Sequence, residues 1–224
     1  MEGVIVFDMD GVLVDVRESF RETIRETVKH FGGPLVSHEV VQGYKNSGGW
    51  NNDWALSQKI LADHGIDVEY NTVIREFNQI LYGENNDGLM LRERWIVSDG
   101  LLERLGQRYE LCIFTGRLHY EVDMTLTRFV PDIQWSAIMA DDDVSNSKPA
   151  PDGLLDIRAK FLGSPMTYVG DTIDDARSAQ AAGDVRFIGI AHKDNPRRDE
   201  LIKILKQHGA MAVLENVNEL EAVL

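Results

Sequence analysis

Short apolar runs spaced by helix-length segments constrain this chain more than any other feature. Leu111-Cys112-Ile113-Phe114, residues 137–140, Thr167-Tyr168-Val169, residues 187–190 and Ala212-Val213-Leu214 each read as a buried strand. Residues 101–108, 120–129, 153–161, 174–182 and 196–207 read as helices that precede or separate these strands. Strands joined by helices of this length pair in parallel through right-handed crossovers. Val4-Ile5-Val6 is a first strand of the same kind, yet only helices follow it for some distance. In residues 17–31, Phe20, Ile24, Val28 and Phe31 recur at helical spacing, and Gly32-Gly33-Pro34 ends the pattern. Glu18/Arg21, Glu22/Arg25 and Glu26/Lys29 offer i,i+3 pairs on its surface. Further helices are expected over residues 54–64 and 72–82, before the polar stretch 83–88. The expected fold is therefore α/β: a Rossmann-like parallel sheet core flanked by helices (residues 1–14 and 91–224), with an all-α domain, residues 15–90, inserted after the first strand.

Composition narrows the partners. The formal net charge of −14 argues against nucleic acid, whose phosphates call for clustered Lys and Arg. A small phosphorylated ligand stays compatible, because a metal and local donors can reverse the field inside a cleft. Cys112 is the single cysteine, so no intramolecular disulfide can form, which fits a reducing cytoplasm. No apolar run approaches the ~18 residues of a membrane span, and acidic residues interrupt the first apolar stretch, unlike a signal peptide. The expected particle is a cytoplasmic monomer or homodimer.

Asp8 and Asp10 stand where the first strand ends, followed by Gly11. In extended backbone, residues two apart point the same way, so both carboxylates can serve one site. Two anions that close call for a cation or a shared proton, and for unequal roles. Thr115-Gly116, Lys148, and Asp171 with Asp174 and Asp175 also follow predicted strands. Open α/β sheets carry their chemistry at the carboxyl ends of strands, so the four groups should converge. Two acids, a hydroxyl beside backbone N–H groups, a lysine and a second acidic cluster form an inventory for phosphoryl transfer.

In that order these motifs resemble the haloacid dehalogenase superfamily, in the subfamily with a helical cap between the first and second motifs. The resemblance covers essentially the whole chain and extends to phosphoglycolate phosphatases and β-phosphoglucomutase. It implies Asp8 as the nucleophile that forms an aspartyl-phosphate, and Asp10 as the acid that protonates the leaving oxygen and later activates water. It implies Thr115 and the Gly116 N–H as phosphate donors, and Lys148 as the cation that offsets charge on the nucleophile. The implied metal is Mg²⁺, at a site made by Asp8, Asp10 through its carbonyl, Asp171 and Asp175. The resemblance implies Asp171 as a direct ligand beside Asp8 and the Asp10 carbonyl, with Asp175 orienting water or Lys148. Asp10 disfavours dehalogenation, since a halide leaves without a proton. The implied activity is a Mg²⁺-dependent phosphatase acting on a small phosphorylated metabolite. The alternatives are a sugar phosphomutase and a non-catalytic metabolite-binding module, the last opposed by the presence of every motif acid.

Substrate choice points to residues 44–54, placed between two helices of the insert. Lys45, Asn46 and Trp50 are the candidates for leaving-group contact. Trp50 and Trp54 could instead anchor the insert's own core, with Asn51 or Asn52 capping the next helix. Arg117 could meet a second anionic group of the substrate or pair with Glu121 on the helix surface. The Thr115-Gly116-Arg117 motif and the polar cap also resemble superfamily enzymes assigned to histidinol-phosphate hydrolysis, a substrate to be tested. The histidines show no metal-ligand spacing.

Overall fold

The computed structural model describes residues 1–224. In chain order the elements are β1 (Gly3–Phe7), β2 (Val14–Asp15), α1 (Phe20–His30), α2 (His38–Ser47), α3 (Asp53–Asp63), α4 (Tyr70–Tyr82) and β3 (Arg94–Trp95). There follow α5 (Leu101–Gly106), β4 (Tyr109–Phe114), α6 (His119–Phe129), β5 (Ala137–Met139), α7 (Asp152–Lys160), β6 (Met166–Gly170), α8 (Ile173–Ala182), β7 (Val185–Ile190), α9 (Arg198–Gln207) and β8 (Ala212–Leu214). The chain forms two compact units, Met1–Val14 with Trp95–Leu224, and Asp15–Arg94.

The first unit is built on a six-stranded sheet of order β5-β4-β1-β6-β7-β8, parallel throughout. β1 is buried along its whole length, as its unbroken apolar run requires. It pairs with β4 from Gly3↔Tyr109 to Phe7↔Ile113, and with β6 from Val4↔Met166 to Phe7↔Val169. Val4, Val6, Cys112, Phe114, Tyr168 and Phe187 form one core with Leu154 and Ile157 of α7 and Leu201 and Leu205 of α9. Each such side chain contributes about 1.5–3 kcal/mol by leaving water. Strand alternation turns Leu111 away from this cluster, and α5 packs against it. From β1 the chain order runs to β4 on one side and to β6 on the other. Such a reversal opens a crevice at the carboxyl ends of the strands, the usual ligand position in sheets of this kind.

The second unit is helical, with α1 packed on α3 and α4 and α3 packed on α4. Ile24, Val28, Leu56, Ile60, Leu61, Val73, Phe77 and Leu81 are its buried residues at helical spacing. Glu22/Arg25 and Glu26/Lys29 pair along α1. The expected Glu18/Arg21 pair does not form: Glu18 accepts from Arg94 at 2.8 Å, and Arg21 turns to Asp53 at 3.4 Å. The expected boundary at residue 90 falls inside a 3₁₀ turn, Leu89–Arg92, whose Met90 is buried and which packs on α1 and α4.

Helix α2 was not expected. Its sequence HEVVQGYKNS carries Gly43 and paired β-branched valines, which weaken the helical signal. Ser37 caps its N-terminus by accepting from the Val40 N–H at 3.3 Å, and Gly48 ends it at φ 80°. Lys45 and Asn46 therefore lie on a helix, and the connecting loop is shorter than residues 44–54.

Candidate active site

The four sequence motifs lie in the first unit, three of them just beyond the carboxyl end of a strand and Lys148 in the segment that follows β5. Asp8 follows β1, and its N–H donates to the Val169 carbonyl at 2.8 Å, extending the pairing with β6 by one residue. The backbone then folds into a compact turn in which the Met9 carbonyl accepts from Val12, Leu13 and Val14 at 3.2, 2.9 and 3.0 Å. Met9, Val12 and Leu13 are fully buried and pin this turn, so the acids sit on a rigid support. Gly11 has φ +74°, and a Cβ there would lie 2.1 Å from Asp171 Oδ2. Only glycine lets this turn come so close to the fourth motif.

Lys148 reaches the same place from the segment after β5. Its ammonium donates to Asp8 Oδ1 at 2.9 Å and to Asp175 Oδ1 at 2.7 Å, with 1% of its side chain exposed. The rings of Phe114 and Tyr168 flank it, with centroids 4.8 and 5.4 Å away. Asp175 belongs to α8, where it forms a capping box with Thr172. Its Oδ2 accepts from the N–H groups of Asp171 and Thr172, at 3.1 and 2.9 Å, and from Thr172 Oγ1 at 2.7 Å. Its Oδ1 accepts from the Tyr168 hydroxyl at 2.6 Å as well as from Lys148. Asp175 is thus surrounded by donors, which suits a residue that positions Lys148.

Burial raises both carboxylates that share Lys148, but the net result differs. It pushes the Asp8 carboxyl up to about 7, with Asp175 and Asp10 adding to the rise and Lys148 opposing it. For Asp175 burial also pushes up, but Lys148, Tyr168 and Thr172 outweigh it and hold the carboxyl below its usual range. Burial alone would lower Lys148, yet Asp175 and Asp8 keep it raised and charged. One ammonium thus serves two buried carboxylates, and the remaining negative charge needs a proton or a second cation.

Carboxylate oxygens of Asp8, Asp171 and Asp175 lie within 4.8 Å of one another, so the triad could hold a metal ion. The donors are all oxygen, the choice of a hard divalent cation. The charge left over beside Lys148 and the close approach that Gly11 permits both fit such an ion.

Thr115 follows β4 and is buried, and its Oγ1 accepts from the Arg117 N–H at 3.3 Å. Arg117 is held by its side chain. Nε donates to Asp10 Oδ1 at 2.6 Å, and Nη1 donates to Thr125 Oγ1 of α6 at 2.8 Å. Glu121 accepts from the Leu118 N–H at 2.7 Å, capping α6. His119 pairs with Asp143 at 2.9 Å on the exposed rim.

The proposed leaving-group residues lie in the second unit. Lys45 pairs with Asp53 and donates to the Asn51 carbonyl at 3.4 Å. Asn46 Oδ1 accepts from Gln42 at 2.8 Å, while its buried Nδ2 has no hydrogen-bond partner. Trp50 meets Tyr44 edge to face with centroids 6.3 Å apart, and Trp54 donates to Asn78 Oδ1 of α4 at 3.1 Å. Trp54 is thus an anchor between α3 and α4. Asn52 caps α3 through the Ala55 N–H at 2.9 Å.

Two site residues were missed from sequence. Tyr168 reads as an ordinary strand aromatic, although its hydroxyl holds Asp175. Thr125 reads as a neutral helix position, although it holds Arg117. A buried tyrosine must find a partner for its hydroxyl, and that rule was the available signal for the first.

Comparison with known proteins agrees with this geometry. A family model described as haloacid dehalogenase-like hydrolase matches residues 5–190. The chain is 31% identical over 229 residues to an imidazoleglycerol-phosphate dehydratase of Phytophthora nicotianae, covering 94% of this chain and 49% of that protein. It thus spans about half the length of that relative. A phosphorylated carbohydrates phosphatase of Thermotoga maritima is 25% identical, with each chain covered completely. Among solved structures, a predicted phosphoglycolate phosphatase of Haemophilus somnus shares the fold with a TM-score of 0.78 at 21% identity, covering 99% of this chain and 97% of that one. With the parallel sheet and the four motifs in place, the chain belongs to the haloacid dehalogenase-like hydrolase family.

Proposed function

We propose that this enzyme is a Mg²⁺-dependent phosphatase that hydrolyses a small phosphorylated metabolite through an aspartyl-phosphate on Asp8. The observation that carries the reading is Lys148, buried between Asp8 and Asp175 at the switch point of the sheet. Asp8 attacks phosphorus while Lys148 offsets the charge it brings. Thr115 Oγ1 and the Gly116 N–H donate to the phosphoryl oxygens. Asp10 gives its proton to the departing oxygen, then takes one from the water that cleaves the acyl phosphate. Mg²⁺, held by Asp8, Asp171 and the Asp10 carbonyl, would neutralise charge on the carboxylates and phosphoryl oxygens. Asp175 fixes Lys148 and Asp171 rather than acting on substrate.

The helical unit serves as the cap in this reading, with Lys45, Asn46 and Trp50 as its candidates for leaving-group contact. The single buried Cys112 fits the reducing compartment in which such metabolites occur. No helix is long and apolar enough to cross a membrane.

Phosphate release from a broad set of metabolites, in Mg²⁺ and in EDTA, tests the proposal. Sugar phosphates, phosphoglycolate and histidinol phosphate belong in the set, given the names of the relatives and the second-motif resemblance. Release that needs Mg²⁺ and vanishes in Asp8→Asn is expected. No release from any compound, or release persisting in Asp8→Asn, would overturn it. Movement of phosphoryl label between positions of one sugar, without free phosphate, would favour a mutase.

A further inference from the structure

The sequence offered the substrate or Glu121 as partners of Arg117; the structure adds Asp10 and Thr125. Its Nε–H donates to Asp10 Oδ1 at 2.6 Å, and only 2% of the arginine side chain is exposed. On the other edge of the guanidinium, Nη1 donates to Thr125 Oγ1 at 2.8 Å, and Thr125 is buried on α6. The backbone of Arg117 is fixed too. Its N–H donates to Thr115 Oγ1 at 3.3 Å, and its carbonyl accepts from the Asp141 N–H at 2.8 Å. A planar fork held at several points can impose a direction on whatever it binds. The Asp10 side chain is 21% exposed, and its carboxylate has Arg117 as its hydrogen-bond partner.

We infer that Arg117 is the positioning residue of the general acid: it clamps Oδ1 of Asp10 and thereby leaves Oδ2 to carry the transferable proton. Arginine does not give up its proton in proteins, so an oxygen that accepts from it is unsuited to hold another. In the first transfer the Asp8–phosphorus bond forms and the bond from phosphorus to the leaving oxygen breaks. The proton on Asp10 Oδ2 moves to that oxygen, leaving Asp10 as the carboxylate that later accepts a proton from water. The arginine that follows the phosphate-binding Thr-Gly therefore serves the leaving group by way of Asp10. Thr125 in turn holds the arginine. This inference rests on the phosphatase reading.

Leaving-group dependence separates this role from a structural one. A p-nitrophenolate departs without a proton, whereas an alkoxide needs one. Leaving-group release in the first turnover isolates the first transfer from the hydrolysis that both substrates share. In Arg117→Ala and Arg117→Lys we expect that step to slow about a hundredfold for a sugar or alkyl phosphate, the scale of general acid catalysis. For p-nitrophenyl phosphate it should change by less than about threefold, on the same scale. Asp10→Asn should show the same pattern, and adding Arg117→Ala to it should cost nothing more, because the two act as a unit. Thr125→Val should show the pattern weakly. Equal slowing with both leaving groups, or additive losses in the double variant, would overturn the inference. So would a raised KM for doubly charged substrates at unchanged kcat, which is the signature of direct substrate contact. Should Arg117→Ala fail to fold, Arg117→Lys and Thr125→Val carry the test. If the parent enzyme releases phosphate from neither substrate, the phosphatase reading itself has failed.

Discussion

The Lys148 ammonium donates to Asp8 Oδ1 at 2.9 Å, joining residues 140 positions apart in the chain. Both groups are almost fully buried, so neither can turn to water if the other is lost. Removing one member of a buried pair leaves an uncompensated charge, at a cost of about 3–5 kcal/mol. Lys148→Met should lose that much stability in urea denaturation at neutral pH. Its turnover should fall at least about a hundredfold, the effect of deleting one preorganised donor to developing charge.

Metal dependence should vary with pH. The folded-state carboxyl of Asp8 is raised to about 7, above its unfolded value of 3.8. Between these values the folded chain holds the proton that the unfolded chain has released, so the metal-free protein loses stability as pH rises. Mg²⁺ binds the ionised form and offsets that loss. The rise in melting temperature on adding Mg²⁺ should therefore be small at pH 5 and large at pH 8. An equal rise at both would contradict the coupling.

Tyr168→Phe removes the hydroxyl that donates to Asp175 Oδ1 at 2.6 Å and leaves the ring against Lys148. A hydrogen bond to a charged group is worth about 1.5–3 kcal/mol. The variant should fold with a stability loss in that range, read by thermal denaturation. With Asp175 less constrained, Lys148 is held less firmly, and turnover should fall about tenfold, or ~1.4 kcal/mol in the barrier.

Gly11→Ala tests the contact between the first and fourth motifs. Its φ of +74° is strained for alanine, and the new methyl would meet Asp171 Oδ2 at 2.1 Å. Left-handed backbone alone costs about 1–2 kcal/mol. Displacement of Asp171 should weaken Mg²⁺ binding more than tenfold by isothermal titration, ~1.4 kcal/mol or more. Unchanged affinity would show that the turn does not set the metal site.

The sheet was legible in the sequence because its strands carry short apolar runs, as in Val4-Ile5-Val6 before Asp8. The site was legible because its motifs follow those runs, so topology alone gathers them at one edge. Helix α2 was hidden by Gly43 and by the polar stretch 44–47, where local pattern is weak and Ser37 and Gly48 decide the ends. The Arg117–Asp10 pair was hidden for another reason. It joins positions 107 apart. Local pairing rules are blind to a carboxylate that the fold brings in from a distance.

The covalent role of Asp8 is the central claim, and trapping the phosphoryl group tests it most directly. The enzyme is mixed with a radiolabelled substrate and Mg²⁺, quenched in acid within the first turnover, digested and mapped. We predict label on the peptide that contains Asp8, released by hydroxylamine and absent in Asp8→Asn. Phosphate release with no labelled peptide in any time window, or label on another residue, would contradict the account.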